Sequence, residues 1–590
     1  MQLYEDLKKS YLSEYEQLAR RDQLVGSGRL ATAILCLTCL YFAIQNGGWT
    51  YPLLALGAAA IFIWLMRYHA SLAWNKKMAK SLADVNHQEI SFLEGREIPF
   101  DNGMEFQDTT HAFTYDLDIF GDNSLFQRLN RSGTYSGKKA LAQLLSSLLP
   151  NPEILENQAA VKELSTKLDW RQRLLATGLI RKDNKMLHDR LLHWAANAGT
   201  PLPRLLTVFA YVSPVCLIAL LLLFRLSGEM IYANGASFLF SLHLLVSFSQ
   251  FKRMQKELVS ADNVKETILQ YSFILQSIEN ENFESKKIKN LKDKIRAEKA
   301  VSSGQLQQLA QLFSRLDSLH NLVAVLFFSG IFLYHLHVFR SLLSWKNKYA
   351  ARIPDWLGVV GETEALSSLA NFSFNNPAFA FPEINTRYEI VFEALGHPHI
   401  NAAKRICNDV SFTPEHFMLL TGSNMSGKST FLRSLGINMV LAGTGAPVCA
   451  TQAWVHPLPV FVSMRLSDSL SDNESYFFAE IKRIKSIKDR LDKGVIFVLL
   501  DEILRGTNSD DKRSGTIAVA RKMVEKKAVG AIATHDLEVC NITADYPADL
   551  VNKCFEVEII NDELHFDYRL RNGVCKNKSA TFLMGKMGIV

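Results

Sequence analysis

No zinc-ligand spacing and no disulfide framework occur among the eight scattered cysteines of this 590-residue chain, as expected for a reducing compartment. Cys36 and Cys39 form a C-x-x-C, but inside an apolar run, where a thiol acts as a small hydrophobe. Strong charge of either sign is missing too. A net +6 allows nucleic acid or an anionic membrane as partner and demands neither. There is no internal repeat, no low-complexity tract and no dense basic stripe with interleaved aromatics. The N-terminus is charged and helical in pattern, without a signal peptide, and reads as a polar helix over residues 1–29 that ends at Gly26-Ser27-Gly28. Apolar residues are plentiful instead: they make up 48%, high for a soluble protein, and the excess is local. The length calls for two to four domains.

Leu30–Ile44 and Tyr51–Met66 are apolar runs without a charge, separated by a glycine-containing turn. Each is shorter than the roughly 20 residues of an ideal membrane span, and the uncharged flanks Trp49 and Tyr51 extend them. Arg20, Arg21 and Arg29 precede the pair; Arg67, Lys76 and Lys77 follow it. Basic flanks around an uncharged turn are the pattern of a hairpin with both ends in the cytoplasm. The alternative is a buried hairpin of a soluble domain. A second pair, Leu205–Phe224 and Met230–Phe248, is longer; Arg204 precedes it and Lys252, Arg253 and Lys256 follow. Leu322–Leu336 is a single short run. An odd span would put the two halves of the chain on opposite sides, so it reads as a buried helix of a soluble domain. Residues 251–320 are charged and helical, with Ile268, Tyr271 and Ile274 on one face.

Gly422-Ser423-Asn424-Met425-Ser426-Gly427-Lys428-Ser429 fits G-x-x-x-x-G-K-[ST], the phosphate-binding loop. An apolar run precedes it and an amphipathic stretch from Thr430 follows, the strand–loop–helix context the motif needs. The glycines free backbone N–H groups to point at phosphate oxygens, and the following helix adds its positive end. Lys428 would reach the β- and γ-phosphates of ATP and Ser429 would hold Mg²⁺. About seventy residues on, Val495–Leu500 is a buried-strand pattern ending in Asp501-Glu502. Asp501 would hold the Mg²⁺ through water; Glu502 would act as base or orienter for the attacking water. Ala528–Ala533 is another strand, followed by His535, placed for the γ-phosphate or the water.

Thr421–Arg433, with Asn424-Met425 inside the loop, resembles the Walker A segment of the MutS family of mismatch-repair ATPases. Asp501-Glu502-Ile503-Leu504-Arg505-Gly506-Thr507-Asn508-Ser509 resembles the family's Walker B and following loop, and Ala533-Thr534-His535 its switch histidine. Glu474–Glu480 resembles the segment whose serine, here Ser475, completes the partner subunit's site. Glu364–Ala370 is similar to the core-to-ATPase junction, Gly396-His397-Pro398 and Asn408-Asp409 to segments flanking the adenine, and Asp116–Arg131 with Gly137 to the start of the helical core, or lever, domain. The resemblance implies ATP and Mg²⁺ as cofactors, a homodimer through the ATPase domains, and binding of mismatched or branched DNA.

The chain also departs from the family pattern. The first apolar hairpin stands where the mismatch-reading and connector domains are expected, the second stands where the DNA clamp interrupts the levers, and no C-terminal helix-turn-helix is expected. Phe92-Leu93-Glu94 matches the mismatch-reading Phe-x-Glu by letter, without its domain. The expected fold is multidomain. Residues 1–75 hold an N-terminal helix and the first transmembrane hairpin, about 30–44 and 51–66. Residues 76–355 form an all-α lever/core domain interrupted by the second hairpin, about 205–224 and 230–248. Residues 356–590 form an α/β P-loop (ABC-type) ATPase. The expected location is the inner membrane, multi-pass, with ATPase and core on the cytoplasmic side. The alternative function is a membrane mechanoenzyme using the same ATPase cycle without DNA; the transporter signature Leu-Ser-Gly-Gly-Gln is absent.

Overall fold

The computed structural model describes all residues except 47–48, 198, 260–263, 297–300, 322, 324, 413–416, 424, 466–475, 561–562 and 577–590. Its N-terminal part is almost wholly helical and its C-terminal part is mixed α/β.

Gln2–Asn46 and Thr50–Leu93 are two long helices packed against each other. At 1.5 Å per residue each runs for roughly 65 Å, about twice the thickness of a bilayer core. The outer halves expose Leu35, Leu37, Leu56 and Trp64 to the surroundings. The inner halves form a polar stalk in which Asp22 pairs with Lys76 and with His69, and Arg29 meets His69 at 2.8 Å. Contrary to expectation, the first helix does not end at Gly26-Ser27-Gly28. An interior glycine costs about 1 kcal/mol of helix stability, and packing along the antiparallel partner offsets it; Leu65 Cδ1 lies 3.9 Å from where a Gly28 Cβ would be. The second helix likewise runs straight through the expected boundary at residue 75.

The stalk is fastened to the helical core by a buried ion pair. Arg131 donates through Nε and Nη2 to both oxygens of Glu89, and Asn371 and Asn375 add their amides at 3.0 and 3.2 Å. Tyr4 closes the network by donating to Asn375 at 2.8 Å. Asn371 and Asn375 belong to the helix Ile353–Asn375, which crosses the expected boundary at 355 and leads directly into the sheets. The same helix carries Glu364, whose carboxylate accepts from the backbone N–H groups of Gly133 and Thr134 and from the Thr134 hydroxyl.

Helices Arg204–Ser227 and Met230–Val259 contain the second apolar pair. Among the described residues, four helices are long and apolar enough to cross a membrane. Leu322–Leu336 departs from the expected buried helix. Val325–Ser329 is a π-helical turn, Gly330–Phe332 follows, and Leu333 takes a left-handed φ of 50°. The chain then turns by 79° into the helix starting at Tyr334. Val323, Phe327, Phe328 and Phe332 are exposed.

Among the described residues, the C-terminal part holds ten strands: β1 (Glu383–Ile384), β2 (Ile390–Leu395), β3 (Asn408–Phe412), β4 (Phe417–Gly422), β5 (Gln452–Val455), β6 (Val460–Ser463), β7 (Phe497–Asp501), β8 (Val529–Ala533), β9 (Leu550–Ile560) and β10 (Glu563–Asn572). A small sheet has the order β1-β5-β2-β3 and the main sheet β10-β9-β4-β8-β7-β6, parallel except for β10. β4, β7 and β8 are buried along their whole length, hence their near-continuous apolar letters. Alternation sends Met418 and Leu420 into the core shared with the helical part and Phe417 and Leu419 into a second core on the other face. Asp116, near the start of the helical core, seats that region on the sheet: it accepts from the N–H groups of Met464 and Arg465 and from Arg483 Nη2 at 2.6 Å.

Candidate active site

The main sheet brings three loops to the same end. The first leaves β4 and turns into the helix Lys428–Thr444. Gly422 (φ 155°) and Gly427 (φ 100°) take backbone angles that suit glycine, and Met425 shares the left-handed region at 67°. Close packing adds to the need: a Cβ on Gly422 would come 2.6 Å from Ser426 Oγ and 2.9 Å from the Phe555 carbonyl. Lys428 is buried, and its ammonium donates to the carbonyls of Gly422 and Ser423 at 2.9 and 3.0 Å. Burial lowers its pKa, against the opposing pull of Glu502 and Asp501.

The second loop follows β7. Asp501 is buried at the strand end and accepts from the Ser429 hydroxyl at 2.5 Å through Oδ2. Its other oxygen, Oδ1, is buried without a hydrogen-bond partner, as is Ser426 Oγ. Buried polar atoms are nearly always paired, so unpaired ones at a loop of this kind mark a place prepared for a ligand. A hydroxyl and a carboxylate with a spare oxygen form a hard oxygen donor set that fits Mg²⁺. Glu502 takes a φ of 49°. That turn aims its carboxylate at His535 Nε2, with which it forms a very short contact. The His535 hydrogen bond, with the charges of His535, Arg505 and Lys428, overrides burial and lowers the Glu502 pKa to about 2. Arg505 folds back onto the strand end, donating to the Glu502 carbonyl at 3.0 Å and the Asp501 carbonyl at 3.2 Å.

The third loop follows β8 and carries His535, whose Nδ1 lies 3.0 Å from the Gly422 carbonyl and 3.4 Å from Lys428 Nζ. Thus Lys428, Ser429, Asp501, Glu502 and His535 converge from three loops. Lys428, Ser429 and Glu502 line a cleft of about 490 Å³, with Asp501 held against Ser429 and His535 against Glu502; Leu395, Ile400 and Ile406 form its apolar wall, and His397 and Asn408 line it too. Burial, assisted by Arg433, Arg128 and Arg405, lowers the His397 pKa to about 4, so this ring faces the cleft neutral.

Residues 418–587 match the family model described as MutS domain V. This stretch of the chain is therefore a MutS-type domain. The human MutS protein homolog 4 is 33% identical over 30% of this chain and 20% of its own length. The DNA mismatch repair protein MutS of Aquifex pyrophilus is 30% identical over 40% of this chain and 28% of its own length. That of Haloquadratum walsbyi is 31% identical over 38% and 23%. The matched region thus covers less than a third of these curated relatives.

Within this MutS-type domain, Gly422, Ser423, Met425, Ser426, Gly427, Lys428, Ser429 and Thr430 form the loop and first turn, while Asn424 and the expected trans-acting Ser475 lie outside the described residues. Two contributors carry no warning in their letters. Tyr568 sits where the β9–β10 register slips between Phe566 and Leu570. Its φ of 53° and a hydrogen bond from Asn408 to its carbonyl hold the ring over the loop; a Cβ on Gly427 would come 3.0 Å from Tyr568 Cδ1. Glu480 accepts from the N–H of Leu504 at 2.8 Å and so sets the loop after β7. The Phe566-Tyr568-Leu570 alternation reads as plain strand, which hides the bulge. Glu480 lies inside the segment that resembles the family but has no motif role.

Proposed function

We propose that this chain is a MutS-type ATPase anchored in a membrane, which works as a dimer and passes nucleotide state to its helical part. The observation that carries the reading is the convergence of Ser429, Asp501 with its unpartnered oxygen, Glu502, His535 and Lys428 at one cleft. ATP would place its base between the apolar wall and Tyr568 and its phosphates on the loop N–H groups and Lys428. Ser429 and Asp501 would hold Mg²⁺, which neutralises charge on the phosphate oxygens when bound. The reaction is attack of water on the γ-phosphorus, with cleavage of its bond to the β–γ bridging oxygen. A carboxylate held at about 2 is a poor proton acceptor at neutral pH, so Glu502 serves first to orient the water. Ser475 from the partner would complete the site.

The relatives' names speak of mismatch repair, and DNA binding at the membrane is proposed by that kinship. A DNA-independent mechanoenzyme is the second reading. It is favoured by the apolar helices Arg204–Ser227 and Met230–Val259, which interrupt the helical core where a DNA clamp is expected.

Purified protein in lipid should hydrolyse ATP, and Lys428→Ala should lose hydrolysis; a wild-type chain that neither binds nor hydrolyses ATP removes the proposal. Fractionation should recover the protein with membranes. Binding to mismatched, branched and homoduplex DNA across a salt series decides between the readings. No binding at low salt, where phosphate contacts are strongest, leaves the mechanoenzyme.

A further inference from the structure

We propose that residues 325–332 form a re-entrant apolar wedge inserted among the acyl chains of the leaflet nearest the helical core, docked on the second hairpin. The inference rests on reading that hairpin as a membrane span.

Depth is the first argument. Ser213 lies nine residues beyond Arg204 and His243 nine residues before Lys252, so each is about 14 Å along its helix from the basic flank. That is close to the middle of a hydrocarbon core of roughly 30 Å. His243 bridges the two helices and the wedge: Nε2 lies 2.8 Å from Ser213 Oγ and Nδ1 2.9 Å from the Gly330 carbonyl. Position 330 has no room for a side chain, because a Cβ would come 2.4 Å from the Phe240 ring. Phe240 lies deeper still along the same helix.

Polar satisfaction is the second. A broken helix leaves backbone carbonyls without partners, and in hydrocarbon such groups must be covered by protein. The break at Leu333 is covered that way. His243 meets the Gly330 carbonyl, the Leu333 N–H donates to Ser329 at 3.1 Å, and His335 lies between the hydroxyls of Ser329 and Ser318. Both histidines are buried.

The third is what faces outward. Val323 is 74% and Phe327 57% exposed, Phe328 and Phe332 are exposed with them, and so are Phe238 and Leu245 of the hairpin on which this segment packs. A patch of this kind calls for an apolar partner, and at this level of the hairpin the partner is lipid. Arg340 donates at 2.5 Å to Tyr211, which lies about 10 Å along its helix from Arg204 and so nearer the basic flank than Ser213. Because the helix from Tyr334 leads through the turn at Ala350–Arg352 into Ile353–Asn375, motion of the core would pull on the wedge.

The test places the photoreactive analogue p-benzoylphenylalanine singly at positions 328, 238 and 284 of the full chain, reconstituted in vesicles of phosphatidylcholine and phosphatidylglycerol. ATP hydrolysis at the wild-type rate verifies each fold. Illumination should give lipid adducts at 328 and 238 and none at exposed Glu284. Adducts at 238 with none at 328 overturn the wedge and leave the span intact. Crosslinking of 328 to a second copy overturns it in favour of a self-association face. No lipid adduct at either position overturns the membrane reading itself.

Discussion

Two charged clusters of this molecule look alike as residue types and are built on opposite plans. At the cleft, Asp501 keeps a buried oxygen without a partner, Ser426 a free hydroxyl, and Lys428 spends its ammonium on loop carbonyls it can exchange for phosphate. At the stalk joint, Arg131 donates through all three nitrogens, and both oxygens of Glu89 accept twice. Phe100 lies 3.4 Å beneath the guanidinium, leaving no room for a ligand. Open valence marks a site and closed valence marks a fastening. The cleft can change partners during a cycle; the joint can only hold or break.

The cleft should therefore lose function without losing fold. Glu502→Gln keeps shape and removes the charge proposed to orient water. Hydrolysis should fall on the order of a thousandfold, about 4 kcal/mol in the barrier, while ATP stays bound. Single-turnover kinetics with a filter-binding assay measure both. Equal turnover in mutant and wild type would mean that the pairing with His535 is structural.

At the joint the converse is expected. Glu89→Gln strands Arg131 in a site where its side chain is only 4% exposed. Leaving one buried charge unpaired typically costs about 3–5 kcal/mol. Thermal unfolding in detergent should show that loss, with nucleotide affinity within a factor of two of wild type. A mutant that binds ATP tenfold more weakly at unchanged stability would make the joint part of the site.

Glu364 belongs to neither plan. It accepts three hydrogen bonds, yet burial, with a further push from Asp183, raises its pKa to about 7. A carboxyl whose pKa is higher in the fold than unfolded stabilises at low pH. That contribution is complete below about 4.5 and is lost as pH rises through 7. Stability should fall by about 3 kcal/mol over that window, and Glu364→Gln should flatten the slope. An unchanged pH profile in the mutant would assign the slope to another group.

The legible parts of this molecule are those where letters and backbone agree. Gly422, Gly427 and Lys428 announce a loop, and Val495–Leu500 announces a strand buried on both faces. The carboxylates at its end then fall beside Ser429 because β7 and β4 both flank β8. The apolar hairpins were equally legible as apolar, but not in extent. Nothing in Gly26-Ser27-Gly28 signals that an antiparallel neighbour will carry the helix through. Leu322–Leu336 misleads for a sharper reason. Its break falls at Leu333, a residue with no turn preference, held in the left-handed region by surrounding contacts instead of by its own conformational freedom. Tyr568 is hidden in the same manner, by a register slip that alternation does not encode.

The mildest test lies between the two plans. Asp116 is as buried as Glu89, but its partner Arg483 is 21% exposed, and two of its acceptor bonds come from backbone N–H groups. Asp116→Asn keeps one oxygen for Met464 and Arg465 and loses the charge that Arg483 needs. Hydrogen bonds to charged groups contribute about 1.5–3 kcal/mol, and water can reach the freed guanidinium, so a loss of about 1–2 kcal/mol is expected in thermal unfolding. The site matters because Arg465 stands immediately before residues 466–475, the segment that ends in Ser475. If Asp116 is only a fastening, turnover per folded molecule stays at the wild-type value at every protein concentration. If it also sets the start of the segment proposed to act in trans, turnover falls most at low concentration, where assembly of the proposed dimer would limit, and recovers as concentration rises. That concentration dependence separates a joint that merely holds the core on the sheet from one that helps build the partner's site.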